Sequence, residues 1–313
     1  MSVELSVIIP IYNMERFIVK TINCLKNQTI NDIEYILIND GSTDFTLDII
    51  KEMIVSDEKF VIVNQNNFGY GYSCNLGIEI SSGKYVAIYE PDDIITSDFY
   101  EKLLFYAKEN TTIDVFRYNG FFIKKNDEIK KLYTWDKNIA NLQLDKYEHK
   151  RFWRSHPSVF NGIYKKSFLK EKNVKFCTAR GASFQDVQFM VSLFYSNPSI
   201  FVINDAKYYY NIHDNQSINN TLKKINDIKE NWNQEYIWCR ERKIADYSFF
   251  YYKMFMQILN ISKNDRGVFF DFFDIFPKHQ MKYIFSPVGT FRQNLLIQFL
   301  MAIIKLRRIF NDK

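Results

Sequence analysis

The stretch Lys84-Tyr85-Val86-Ala87-Ile88-Tyr89-Glu90-Pro91-Asp92-Asp93 decides how this chain is read. Tyr85 to Tyr89 is an unbroken apolar run, as expected of a strand covered on both faces. Pro91 follows it, and three carboxylates, Glu90, Asp92 and Asp93, gather at the carboxyl end. Adjacent carboxylates repel each other, which favours a bound cation. Hard cations such as Mg²⁺ or Mn²⁺ take oxygen ligands and bridge to phosphates. The competing reading is a capped turn ahead of the helix that Asp98 opens.

Working back toward the N-terminus, the same pattern repeats. Leu5 to Ile9 reads as a strand stopped by Pro10, Tyr35 to Ile38 as a second, and Phe60 to Val63 as a third. Between them, Glu15 to Lys26, Asp44 to Val55 and Gly71 to Ser81 carry helical character; in the first, Phe17, Thr21, Ile22 and Leu25 share one face. Beyond the acidic cluster, Asp98 caps a helix to about Lys108 and Asp114 to Ile123 forms a further strand. This alternation predicts an α/β fold, a mostly parallel sheet flanked by helices. Residues 126–150 are charged and read as loop or short helix, and 222–313 as mainly helical.

In such sheets ligands lie at the carboxyl ends of the strands. Pro10-Ile11-Tyr12-Asn13, Asp40-Gly41-Ser42 and Asp92-Asp93 all fall there. Asp40 suits a turn and N-cap, and a strand-end carboxylate can equally accept from a base imide. The segment Asn67-Phe68-Gly69-Tyr70-Gly71 has a Gly-x-Gly but lacks the third glycine of a dinucleotide fingerprint, and it follows the third strand rather than the first.

Composition narrows the class. The 313 residues are 47% hydrophobic with only 10 Gly and 6 Pro, enough for a sizeable core and unlike a disordered chain. The four cysteines, Cys24, Cys74, Cys177 and Cys239, are widely spaced, which suits reduced thiols. The N-terminus runs straight into a strand with no signal-peptide pattern, so a cytoplasmic location is expected. Net charge is +5, and Lys278 to Lys313 alone carry seven Lys or Arg against one acid. The remainder is near neutral, so no nucleic-acid partner is expected.

Val7-Ile8-Ile9-Pro10-Ile11-Tyr12-Asn13, Ile38-Asn39-Asp40-Gly41-Ser42-Thr43-Asp44, Asn75-Leu76-Gly77 with Ser82-Gly83-Lys84-Tyr85, and Glu90-Pro91-Asp92-Asp93 occur in order within residues 3–118. Together they resemble the glycosyltransferase family 2 proteins of the GT-A fold. The resemblance implies that Pro10, Tyr12, Asn13, Glu15, Asn67 and Asp92 contact the donor nucleotide and that Asp40 binds its base. It implies that Asp92 and Asp93 hold Mn²⁺ or Mg²⁺. Glu90 stands where the family usually has Asp and belongs to the donor site; Cys74 stands where many members have Arg.

Gly181-Ala182-Ser183-Phe184-Gln185-Asp186 resembles the family's acceptor-side motif, with Gln185 replacing the first acid. Asp186 is the candidate catalytic base, set against its rival reading as N-cap of an apolar helix from Val187 to Tyr195. Tyr208 to Ser217 resembles a segment that follows the catalytic domain, where His213 could meet the metal or diphosphate, or serve only as a packing residue. Trp153 and His156 could line an acceptor site or belong to the core.

The resemblance implies an inverting, metal-dependent transfer from a nucleoside-diphosphate sugar, with UDP expected, to a hydroxyl of a glycan or a glycosylated lipid or protein. The expected organisation is a catalytic domain over 1–215 and a helical region over 216–313. Within the latter, Leu295 to Ile304, flanked by Arg292, Lys305, Arg307 and Arg308, is too short to span a bilayer. It suits an interfacial helix on an anionic inner leaflet, a homo-oligomer contact or an ordinary buried helix. The alternatives to catalysis on this fold are a silent glycan-binding or scaffold protein. A nucleotidyltransferase also uses paired acids, but would carry a Gly-rich basic loop where Pro10 to Asn13 stand.

Overall fold

The computed structural model describes residues 3–126, 128–133, 142–144, 156–179, 184–213 and 225–261. The chain divides into two compact units, 1–220 and 221–313.

The first unit is built on β1 (Leu5–Ile11), β2 (Ile33–Asp40), β3 (Phe60–Gln65) and β4 (Tyr85–Ile88), joined through α1 (Ile18–Lys26), α2 (Thr46–Met53) and α3 (Tyr70–Ile80). These four strands are mutually parallel in the order β3-β2-β1-β4. The order turns back between β1 and β4, so the crevice of this doubly wound half opens beyond Ile11 and Ile88. Strands buried on both faces need continuous apolar sequence, and β1 and β4 are buried at every position.

Pro10 does not stop β1, which runs on through Ile11. The Ile8 carbonyl accepts from Tyr89, so Ile8 and, by alternation, Pro10 face β4. Pairing to β4 ends at Ile8–Ile88, and the N–H that proline lacks would have had no partner there.

The sheet continues through β5 (Ile94–Ile95), β6 (Val115–Lys125), β7 (Glu128–Tyr133), β8 (Leu142–Leu144), β9 (Gly162–Lys165) and β10 (Ile200–Ile212), with β9 antiparallel between β4 and β6 and β10 parallel to β6. The remaining helices of this unit are α4 (Phe99–Glu109), α5 (Lys166–Glu171) and α6 (Gln185–Tyr195). Strands β7 and β8 occupy part of the segment expected to be loop or short helix. Five of the six β7 residues are exposed. With no buried face it carries no alternating apolar signal, and only its pairing with β6 makes it a strand.

Asp98 precedes α4 but makes no side-chain cap. Its carboxylate accepts from Thr96 at 2.7 Å and Lys207 at 2.6 Å, tying α4 to β10 instead.

In the second unit, α7 (Ile225–Glu241) and α8 (Ser248–Ile261) pack through buried Trp232, which donates to Gln257 at 2.6 Å and meets Phe250 edge to face. The expected helical character holds over 225–261. The apolar stretch at 295–304 and its basic flank lie outside the described residues, as does Trp153. No helix among the described residues is long and apolar enough to cross a membrane. All four cysteines are free; Cys24 is half-buried and the other three are buried.

Candidate active site

The loops after β1 and β2 are laced together. Asn13 sits at φ +53°, a conformation Asn tolerates better than most residues. There its N–H donates to Ser42 at 3.0 Å, while its Oδ1 accepts from the Thr43 N–H at 2.8 Å. Glu15 accepts from the Phe45 N–H at 3.3 Å and donates its own N–H to Asp44. Tyr12 is exposed at this rim and Pro10 buried beneath it. Asn13 and Glu15 thus tie the loop after β1 to the loop after β2, and the Tyr12 ring stays exposed.

Asp40 is buried and engaged. One carboxylate oxygen accepts from Gln65 at 2.7 Å and the Phe68 N–H at 2.9 Å, and the other from the Gly69 N–H at 2.9 Å. Gly69 adopts φ +96°, which a side chain would resist. A strand-end carboxylate therefore fixes the Asn67–Gly69 loop against β2 and launches α3. Asn67 itself is exposed on that loop.

The three acids after β4 diverge. Asp93 is buried and points inward: Tyr208 donates to it at 2.7 Å and the Asn211 N–H at 2.8 Å, which anchors β10. Burial, with the neighbouring Asp92 charge, holds its carboxyl well above the ordinary range. Both its oxygens accept hydrogen bonds from β10, which ties the residue expected as a metal ligand to the sheet. Asp92 faces the other way and lies 2.8 Å from Nε2 of His213, whose ring rests on Phe17 with centroids 4.6 Å apart. Glu90 accepts from the Tyr70 hydroxyl at 2.6 Å. Burial pushes Glu90 up to about 8; the Tyr70 hydrogen bond opposes that shift, and the charges of Asp92 and Asp186 add to it.

Asp186 lies within the first turn of α6, which opens at Gln185 after Phe184 in the left-handed region at φ +62°. It is therefore not the N-cap of that helix, a position Phe184 holds. The Asp186 charge acts on Glu90, Tyr70, Cys74 and Tyr210, so Asp186 lies near these residues. Gln185, which replaces the acid, turns inward and donates to the Ala179 carbonyl at 3.1 Å.

The sequence model of the family described as Glycosyl transferase family 2 matches residues 6–183, more than half of the chain. The chain belongs to this family. EpsH of Bacillus subtilis (strain 168), assigned to the glycosyltransferases, is 30% identical over 70% of this chain and 64% of its own length. The glycosyltransferase GlyG of Streptococcus pneumoniae serotype 4 is 27% identical over 67% of this chain and 71% of its own. This chain spans less than two thirds of the length of EpsH. The structure of S. aureus TarS 1–349 in complex with UDP-GlcNAc matches 96% of this chain at a TM-score of 0.65 and 20% identity, a likeness of fold. That fold is the GT-A arrangement.

Among the sequence-derived residues of this family 2 chain, Glu90, Asp92, His213 and Asp186 are brought to one crevice, with Pro10, Tyr12 and Asn13 at its rim. Asp93 is turned away from it and Asp40 is withdrawn beneath it. His156 packs edge to face on buried Phe121. Among the described residues no three His, Cys, Asp or Glu side chains form a group able to hold a metal ion. Two contributors escaped the sequence reading. Tyr70 reaches Glu90, and Asn75 binds Phe176 across 101 residues. Neither contact has a local signature, because each joins segments that meet only through the sheet.

Proposed function

We propose that this chain transfers a sugar from a nucleoside diphosphate, with UDP preferred, to an acceptor hydroxyl with inversion at the anomeric carbon. The acceptor class is a glycan or a glycosylated lipid or protein. The observation that carries this reading is the meeting of Asp92, Glu90 and Asp186 at one crevice of the parallel sheet. The crystal structure of TarS, on the same fold, is a complex with UDP-GlcNAc, which supports a donor of that kind here. A cytoplasmic setting accompanies the reading.

Asp186 accepts the proton of the acceptor hydroxyl as it attacks, the role a positioned carboxylate can fill. Glu90, held by Tyr70, presents its free oxygen to a donor hydroxyl. Tyr12 offers a ring face to the base. The donor set at Asp92 fits a divalent cation: a carboxylate oxygen stands 2.8 Å from an imidazole nitrogen, and both suit Mn²⁺. Asp92 and His213 would hold the ion, the diphosphate and water completing its shell. When bound, it supplies charge stabilisation to the departing diphosphate.

The test is a panel of nucleotide sugars assayed for hydrolysis and transfer, with chelator and with added Mn²⁺. Metal-dependent turnover lowered ~10²–10⁴-fold by Asp186→Asn, with donor binding kept and residual turnover measurable, supports the reading. Donor binding without turnover in the wild-type chain favours the silent, glycan-binding alternative.

A further inference from the structure

Resting on the reading of Asp186 as the base, we infer that Asn75 is a positioning residue. It sets Asp186 against the donor end of the site by clamping residues 176–179 between α3 and α6.

The Asn75 side chain makes both hydrogen bonds that a peptide unit would make to Phe176. Its Nδ2 donates to the Phe176 carbonyl at 2.9 Å, and its Oδ1 accepts the Phe176 N–H at 2.9 Å. An amide engaged on both atoms fixes direction as well as distance. One turn earlier on the same face, Gly71 lets the Cys177 carbonyl approach so closely that a Cβ there would stand 1.9 Å from its oxygen. The Phe176 ring packs by its edge on Tyr70, with centroids 5.8 Å apart, and by its face on Phe189, at 4.3 Å and 17°.

Phe189 belongs to α6. At the N-terminal end of that helix Gln185 ties to Ala179, the far end of the same short segment. Residues 176–179 are thus held by α3 on one side and by α6 on the other. The first residue of α3, Tyr70, holds Glu90, and the first turn of α6 carries Asp186. Hydrogen bonds and ring packing together link the two acids through this segment, so their separation is set by this bridge. Reaction geometry tolerates little slack, since a displacement of about 1 Å can cost ~10²-fold in rate.

The experiment uses the full chain with its nucleotide-sugar donor and an acceptor, and compares Asn75→Ala, Gln185→Ala and their double variant. The expected result is a fall in kcat of about tenfold or more for each single variant, with the donor Kd by calorimetry within about twofold of wild type. The double variant should lose less than the product of the singles, because both release the same segment. In an Asp186→Asn background, Asn75→Ala should lower kcat by less than about twofold, as no base remains to misplace. A kcat near wild type, a parallel loss of donor affinity, or an equal further fall in the Asp186→Asn background overturns the inference. Should Asn75→Ala not fold, Gln185→Ala in both backgrounds carries the same comparison. If Asp186→Asn itself leaves wild-type transfer intact, the base assignment fails and this inference with it.

Discussion

Tyr208 and Asp93 are joined by a 2.7 Å hydrogen bond across 115 residues of sequence, which turns the second aspartate of the pair into the sheet while the first stays at the crevice. The buried Tyr208 hydroxyl claims Asp93, while Asp92 meets His213. The two aspartates should therefore separate cleanly on mutation. Asp93→Ala leaves the Tyr208 hydroxyl and the Asn211 N–H without their acceptor, at a cost of roughly 2–5 kcal/mol for two buried donors. Asp92→Asn should change stability by less than about 1 kcal/mol, since it keeps the shape of a partly exposed side chain, yet abolish metal-stimulated transfer. Urea unfolding with activity measured on the folded fraction checks both. Equal destabilisation by the two variants would place Asp92 in the same structural role.

Glu90 gives the chain a pH dependence of definite sign. Its carboxyl is raised from 4.5 to about 8 by burial and by Asp92 and Asp186, so the folded state holds a proton that the unfolded state has released. Over that window the folded state binds more protons, and stability falls as pH rises from about 4.5 through about 8. The melting temperature of wild type should accordingly drop between pH 6 and 9, and Glu90→Gln, which cannot ionise, should drop less. Added Mn²⁺ should flatten the wild-type slope as well, since a nearby cation favours the carboxylate. Parallel melting curves for wild type and Glu90→Gln across that range would remove Glu90 as the source.

The four parallel strands and the turns after them were legible because fully buried strands must be continuous apolar runs and the ligand crevice must follow their ends. The divergence of Asp92 and Asp93 was not, since it depends on Tyr208 and Asn211 arriving from the end of β10. Asp40 shows a related limit. Its place at a strand end was readable, but its three donors come from Gln65, Phe68 and Gly69, which approach only when β3 pairs with β2. Strand β7 was missed for the opposite reason, having no buried face to mark it. Asp98 and Asp186 both stand where caps are expected, and the structure uses one for ion pairing and the other inside a helical turn.

Asp40 should act on donor affinity through the Asn67–Gly69 loop. Asp40→Ala removes the acceptor for two backbone N–H groups and one amide, and Gly69 then loses the tie that holds its positive φ. The expected cost is about 2–4 kcal/mol, in line with buried hydrogen bonds to a charged acceptor. Donor KM should rise more than kcat falls, because the loosened loop lies on the donor side while α6, which carries Asp186, keeps its own ties to residues 176–179. Isothermal titration with UDP and with the intact donor separates base from sugar contacts. A fall in kcat at unchanged KM would show that the loop governs chemistry rather than donor capture.

Gly71→Ala sets two opposing effects against each other at the centre of the clamp. Alanine is favoured over glycine within a helix by up to about 1 kcal/mol. The new methyl, however, would stand 1.9 Å from the Cys177 carbonyl oxygen and 3.0 Å from its carbon. These are backbone atoms, so no rotamer change relieves the overlap, and residues 176–179 must shift. Overpacking of this kind costs typically 1–3 kcal/mol, so the clash outweighs the propensity and the variant should melt lower than wild type. The shift also moves the bridge that carries α6, so kcat per folded molecule should fall together with stability. A Gly71→Ala chain as stable as wild type and fully active would mean that α3 and the 176–179 segment are not in fixed contact, and that the spacing of Glu90 and Asp186 is set elsewhere.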